Sequence, residues 1–187
     1  MKKIVVTGEH GALSVELVQE LRSRTDRPVE NLGVRDGSWK TVDFSDVETI
    51  VHVAGLIPGK YTRPEDFYRV NRDLTRELAT KAKAEGVEQF LYLSSMSVYG
   101  IEPSIKKRKG VVSANTPCAP KEDYGKSKFE AEEALRSLED ETFRVAIIRV
   151  PSLYSVGRTA YLDRIKRFFD RYPRIPRAFE DRFKSIL

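Results

Sequence analysis

Short apolar runs alternate with longer amphipathic segments along most of the chain. The first run is β-branched, and the apolar runs together favour strands over residues 3–7, 29–34, 48–54, 90–93 and 143–149. Apolar positions recur at helical spacing between these runs and predict helices over residues 12–22, 63–85 and 124–138. Because the strands are apolar throughout and alternate with helices, we expect an α/β fold, a doubly wound parallel sheet with helices on both faces.

The turn between the first strand and the first helix has the glycine spacing of a phosphate-binding loop. It covers residues 7–14, TGEHGALS. Gly8 permits a tight turn, and Gly11 lets a pyrophosphate approach the backbone at the helix N-terminus. The third position of the full dinucleotide pattern is Ser14 instead of glycine. The loop is therefore either a dinucleotide site or an ordinary strand-to-helix turn.

Small and hydroxyl-bearing residues follow two later strands. Residues 51–55, VHVAG, place Ala54 and Gly55 where a flat ring or a ribose could lie against the backbone. Residues 93–100, LSSMSVYG, place a cluster of serines after another strand. Open α/β sheets bind ligands at the carboxyl ends of their strands, so we expect both segments at one polar site.

A tyrosine and a lysine stand four residues apart at the start of the last predicted helix, in DYGKSK over residues 123–128. Residues at this spacing share one face of a helix, so Tyr124 and Lys128 project together. A neighbouring ammonium favours the phenolate and lowers the pKa of the tyrosine, which would suit proton exchange with a substrate hydroxyl. The alternative is a helix start that holds the two residues by chance.

The net charge of +5 does not indicate nucleic-acid binding. Residues 158–187 contain nine Lys and Arg against four Asp and Glu, which accounts for the whole excess. The sequence shows no basic face interleaved with aromatic residues, so we expect no nucleic-acid partner. The one cysteine, Cys118, cannot form an internal disulfide, and no apolar stretch is long enough to indicate a membrane span. We therefore expect a cytoplasmic protein without a membrane partner.

The chain resembles the NAD-dependent epimerase/dehydratase family, the extended branch of the short-chain dehydrogenase/reductases, which acts on nucleotide sugars. The resemblance rests on six segments in order, TGEHGALS, HVAG, VNRDLT, LSSMSVYG, YGKSK and RVPSLY. It implies a Rossmann fold that binds NAD or NADP, with Tyr124 as the catalytic acid–base, Lys128 on the nicotinamide ribose and Ser95 on the reacting oxygen. The cofactor-binding residues that it implies are Gly8, Gly11, Ala12, Leu13, Arg35, Ala54, Gly55, Asn71, Ser94, Tyr124, Lys128 and Val150.

The chain departs from the family pattern at three places. Residues 149–157, RVPSLYSVG, lack one proline and the Gly-Pro that the family commonly has there. The acidic residue that the family places after the second strand is either Glu30 or Asp36, and Arg35 could instead meet a 2′-phosphate, so NAD and NADP both stay open. We expect residues 1–155 to form the NAD(P)-binding domain and residues 156–187 to begin a helical, basic substrate-binding lobe whose remainder is missing.

The sequence thus predicts an NAD(P)-dependent enzyme of the nucleotide-sugar epimerase/dehydratase type with a Ser-Tyr-Lys site and no metal. Two alternatives stay open: a dinucleotide-binding protein without turnover, acting as a sensor or partner subunit, and an NADP-dependent carbonyl reductase. The resemblance also names helices 63–85 and 124–138 as the candidate contacts of a homodimer.

Overall fold

The computed structural model describes residues 1–101, 112–113 and 115–151, and Met1–Pro151 form one compact unit. The described residues of this unit form five strands and four α-helices. In chain order they are β1 (Lys3–Thr7), α1 (Ala12–Arg24), β2 (Val29–Leu32), β3 (Val47–His52), α2 (Pro64–Phe67), α3 (Leu74–Ala84), β4 (Gln89–Ser95), α4 (Asp123–Leu138) and β5 (Arg144–Val150). Short 3-10 turns cover Ser38–Thr41 and Met96–Tyr99, and a π-helical turn, Tyr68–Asp73, joins α2 to α3.

All five strands are parallel and lie in the order β2-β1-β3-β4-β5. The chain passes from β1 outward to β2 and then returns to the other side of β1. The strand order therefore reverses between β1 and β3, and the connections on either side leave a crevice at their carboxyl ends. The predicted doubly wound parallel sheet is confirmed, and this crevice is where its ligand site is expected.

The two faces of the sheet carry separate hydrophobic cores. Val5 and Val6 are neighbours on β1 and enter different cores, because successive side chains of a strand point to opposite faces. Val6 packs with Val18 of α1, whereas Val5 belongs to the larger core with α3 and α4. The fully buried members of this larger core include Ile50, Leu78, Phe90, Tyr92, Leu135 and Phe143. Helices thus cover both faces, as the strand pattern predicted.

The segment predicted as one helix over residues 63–85 differs from the structure in its middle. It begins at Pro64, where a missing N–H costs nothing, and ends before Gly86, whose φ of 82° suits glycine. Between α2 and α3 the hydrogen bonding is π-helical, and Asn71 lies in this turn. A π-turn widens the backbone spacing and is frequent at functional sites. The periodicity could not reveal it because apolar spacing changes little over one turn.

Candidate active site

A cleft of about 630 Å³ opens at the carboxyl edge between β1 and β3. It lies where the strand order reverses, so the topology and the cavity agree. Six of the residues that the sequence predicted for a cofactor line it: Gly8, Gly11, Leu13, Arg35, Ala54 and Gly55.

The glycine loop forms a tight turn, and at its glycines the backbone lines the cleft without a side chain over it. Gly8 has φ 101°, which L side chains rarely adopt, and its carbonyl accepts a hydrogen bond from Gly11 N at 2.7 Å. Ser14 is buried, and its hydroxyl donates to the carbonyls of Gly8 and Gly11, the latter at 2.8 Å. The serine that replaces the third glycine therefore pins the turn. Ala12 begins the thirteen-residue helix α1, whose free N–H groups face this end.

Gly55 leaves a gap between the cleft and two buried polar side chains. A Cβ at this position would lie 3.1 Å from Lys128 Nζ and 3.2 Å from Asn71 Oδ1. The Asn71 amide accepts from Leu56 N at 2.8 Å and donates to Leu56 O at 3.0 Å, so it fixes the loop that carries Gly55. The role of Asn71 in a cofactor site stays a prediction.

Lys128 is buried under this gap. Its ammonium donates to the carbonyl of Leu93 at 2.9 Å and stands 4.7 Å from the centre of the Tyr92 ring. Burial lowers the pKa of Lys128 to about 8, and the nearby Glu132 opposes this shift. A buried lysine whose pKa is lowered this far destabilises the folded state, and such lysines are typical of functional positions.

Tyr124 lies at the start of α4, with its ring edge-on to Phe67 at 5.7 Å between centroids. Burial raises the pKa of Tyr124, and a hydrogen bond with Ser95 acts in the opposite direction. The sequence predicted that Lys128 would lower this pKa; the structure differs, because the Lys128 ammonium is directed to Leu93 O. Tyr124 is therefore protonated at neutral pH in this state of the molecule.

The two serines at the end of β4 have different partners. Ser95 contacts Tyr124 and also donates to Ser97 Oγ at 3.0 Å, which holds its hydroxyl at the strand end. Ser94 is buried and donates to Glu132 at 2.5 Å. Val150, at the end of β5, is the register partner of Ser95. The structure thus brings Ser95, Tyr124 and Val150 to one edge and turns the hydroxyl of Ser94 toward the core.

Glu132 is the centre of a buried network that the sequence analysis missed. Its carboxylate is fully buried and accepts from Arg149 through two nitrogens, with Nη2 to Oε2 at 2.7 Å, and from Arg136 at 2.9 Å. Arg149 in turn donates to the hydroxyl of Tyr99 at 2.8 Å. Burial alone would raise the pKa of Glu132, but the hydrogen bonds from Arg149 and Ser94 hold it below its ordinary value. The spacing of four residues after Lys128 was a signal that could have found it.

His52 was also missed. It ends β3, is fully buried, and has Thr7 Oγ1 2.7 Å from Nδ1 and Thr75 Oγ1 2.9 Å from Nε2. Burial, with a smaller contribution from the charge on Lys128, lowers the pKa of His52 to about 3. Thr7 also accepts from the backbone N of Ala54 at 3.2 Å. A neutral histidine thus ties the strand before the glycine loop to the strand before Gly55.

The acidic candidates after β2 occupy different places. Glu30 forms an ion pair with Lys3 at 3.2 Å and does not line the cleft. Asp36 lines the cleft and accepts from the backbone N and the hydroxyl of Ser38 at 3.0 and 2.7 Å, which lowers its pKa. Arg35 is exposed at the same opening. Neither choice of cofactor follows from these three residues alone.

Other predicted features lie partly or wholly outside the described residues. These are the departure at residues 152–157 of RVPSLYSVG and the lobe predicted over residues 156–187. Within the described ranges, no helix is long and apolar enough to cross a bilayer. The same ranges contain no group of three His, Cys, Asp or Glu side chains that could hold a metal ion.

The chain is similar in sequence to a known protein family and to curated proteins. A family model described as "NAD dependent epimerase/dehydratase family" matches residues 4–173. UDP-glucose 4-epimerase of Vibrio cholerae is 30% identical over 91% of this chain and 57% of its own length. The human UDP-glucose 4-epimerase is 31% identical over 73% of this chain and 39% of its own length. The chain thus spans about half the length of these curated relatives.

Solved structures agree with the sequence relatives. MoeE5 in complex with UDP-glucose and NAD superposes with a TM-score of 0.68 at 27% identity. The match covers 84% of this chain and 56% of that one. The likeness therefore covers most of this chain and about half of that one.

Proposed function

The chain belongs to the NAD dependent epimerase/dehydratase family, and on that premise we propose that it binds a nicotinamide dinucleotide and transfers hydride reversibly to and from a nucleotide sugar. The observation that carries the proposal is the joining of three features at one sheet edge. They are the glycine loop at Gly8 and Gly11, the gap over Lys128 at Gly55, and Tyr124 beside Ser95, whose hydroxyl opposes the rise in the pKa of the phenol.

The residues fit a dinucleotide. The pyrophosphate would lie on the backbone N–H groups at the start of α1, beside Gly8 and Gly11, where an anion is favoured by the helix dipole. The nicotinamide ribose would lie over Gly55, because that gap exposes Lys128 Nζ, a donor at 3.1 Å from the position of a missing Cβ. Bound dinucleotide would supply a carbon that accepts a hydride and returns it.

Tyr124 carries the proton chemistry of the proposal. Its pKa is raised by burial, so at neutral pH it holds a proton to give to a ketone oxygen. In the opposite direction it must first lose that proton, and the buried charge of Lys128 is the group that would favour its phenolate. Ser95, which acts on the pKa of the phenol from the end of β4, would orient the reacting oxygen.

The nucleotide-sugar substrate is supported by the relatives alone. Those from Vibrio cholerae and human are named UDP-glucose 4-epimerase, and MoeE5 was solved with UDP-glucose and NAD. We propose a UDP-sugar of this kind for the present chain. A homodimer is proposed on a different ground. Helices α3 and α4 pack side by side on one face of the sheet, so their outward sides form a single surface, and light scattering after size exclusion would test it.

The test of the function combines binding with chemistry. Calorimetry should show binding of NAD or NADP, and product analysis with UDP-glucose should show the 4-epimer. Tyr124→Phe keeps the ring and removes the proton, so turnover should fall by about 100-fold or more while dinucleotide affinity changes little. Tyr61→Phe is the matched control, because Tyr61 is 84% exposed and lacks the burial of Tyr124. Absence of dinucleotide binding to the folded chain would refute the proposal.

A further inference from the structure

The glycine loop places an acidic side chain where a side chain of β2 would normally lie. Gly33 directly follows β2, and a Cβ on it would be 2.8 Å from Glu9 Oε2. Real Cβ atoms do not come so close, so in this structure the carboxyl group of Glu9 lies in the space that a side chain at position 33 would take. Because the carboxyl group is the end of a flexible, half-exposed side chain, it can also move out of that space. Both residues line the cleft beside Gly8 and Gly11.

The end of the second strand is where a dinucleotide site needs a hydrogen-bond acceptor. The adenosine ribose presents hydroxyl groups there, and an acidic residue accepts from them. In this chain the position has no side chain, and Glu30 is turned away to Lys3. Asp36 lies three residues beyond Gly33, where its carboxylate accepts from Ser38. Glu9 instead reaches the same place from the loop. Asn31 supports it from below, with Nδ2 donating to the carbonyl of Glu9 over a long 3.4 Å.

We propose that Glu9 is the acceptor for the adenosine ribose and that it selects NAD over NADP; this rests on the dinucleotide binding proposed above. A carboxylate accepts hydrogen bonds from a free 2′-hydroxyl and repels a 2′-phosphate, because both groups are negatively charged. Arg35 is the opposing residue, since a guanidinium would attract that phosphate. Glu9 prevails because it fills the strand-end position, whereas Arg35 lies two residues beyond Gly33.

Calorimetry on the whole chain tests the assignment without any turnover. The probes are NAD, NADP, ADP-ribose and 2′-phospho-ADP-ribose. The wild type should bind NAD about tenfold or more tighter than NADP, as expected for a charge-assisted hydrogen bond. It should likewise bind ADP-ribose more tightly than 2′-phospho-ADP-ribose. Glu9→Gln should remove most of this preference. Glu16→Gln, an equal charge change on an exposed position of α1, should leave it intact.

An exchange of positions makes the test sharper. Gly33 does not have a positive φ, so its backbone accepts an aspartate once Glu9 no longer fills the space. Glu9→Ala should weaken NAD about tenfold. Glu9→Ala combined with Gly33→Asp should restore the affinity, whereas Gly33→Asp alone should weaken NAD because the two carboxyl groups compete for one place.

The outcomes separate this inference from the function on which it rests. Equal affinity for NAD and NADP in the wild type overturns the role of Glu9 and leaves dinucleotide binding standing. A preference for NADP that Arg35→Gln removes also overturns it and assigns the selection to Arg35. If no probe binds a chain whose melting curve shows it folded, the proposed function fails and the inference fails with it.

Discussion

Replacing Lys128 with methionine should stabilise the fold while weakening the site. The buried ammonium has its pKa lowered from 10.5 to about 8. At about 1.4 kcal/mol for each tenfold change in proton affinity, holding this charge costs the folded state roughly 3 kcal/mol at neutral pH. Methionine removes that cost but leaves the carbonyl of Leu93 without its donor, which takes back about 1 kcal/mol. We expect a net gain of about 2 kcal/mol at pH 7.

The stability that Lys128→Met gains over the wild type should decrease as the pH rises. Because the folded pKa is lower than the unfolded one, the cost is fully present below about pH 8 and disappears as the pH rises toward 10.5. Near pH 10.5 both states of the wild type lose the proton, and the variant should then be slightly the less stable chain. The advantage of Lys128→Met should therefore shrink steadily between these two pH values.

Urea unfolding at a series of pH values measures the difference in stability between Lys128→Met and the wild type. The chain has a single tryptophan, Trp39, which is buried in the larger core, so its fluorescence reports the loss of that core. Lys126→Met is the matched control, because Lys126 is exposed on the same helix and its replacement should change stability by less than about 0.5 kcal/mol at every pH. Calorimetry on Lys128→Met should show weaker dinucleotide binding than the wild type. If Lys128→Met is less stable than the wild type at pH 7, the reasoning is refuted.

Three further changes test other parts of the site. The pKa of His52 is lowered to about 3, so wild-type stability should fall by about 2 kcal/mol between pH 6.5 and 5 as the unfolded chain takes up a proton. His52→Gln should flatten this slope in urea titrations and His10→Gln, at the only other histidine, should not; equal slopes would exclude His52 as the cause. Glu132→Gln removes the charge of a fully buried carboxylate and should cost about 3 kcal/mol, the lower end of the range for a buried ion pair because Arg149 keeps 22% exposure. Glu133→Gln, an exposed pair, should cost under about 1 kcal/mol in the same denaturation assay, and similar losses for both would contradict the buried network. Gly55→Val should abolish NAD binding in calorimetry, since its side chain would fill the gap over Lys128, and unchanged affinity would remove Gly55 from the site.

The fold was predictable because the signals for it are local and repeated. Most strands are apolar runs, and the long helices have apolar positions at helical spacing, so the alternation of the two predicts a parallel sheet with helices on both faces. The placement of Tyr124 and Lys128 on one helix and of Gly8 in a tight turn was predictable for the same reason. Their spacing within one helix or one turn determines their geometry before any tertiary contact forms.

Distances between separate elements could not be read from the sequence. Glu9 and Gly33 are far apart along the chain. Only the pairing of β1 with β2 brings the carboxyl group of Glu9 to the place where a side chain at position 33 would lie. The same holds for Glu132 with Arg149, and for His52 with Thr75. No periodicity connects residues on different elements.

The pKa values belong wholly to the tertiary structure. From spacing alone, Lys128 was expected to lower the pKa of Tyr124; in the folded chain burial raises the pKa of the phenol and lowers that of the lysine. The sequence by itself determined which chemical groups stand at the sheet edge, because turns and helices carry them there. Only the tertiary structure decided how they are charged and paired, because desolvation depends on every atom that the fold packs around a group.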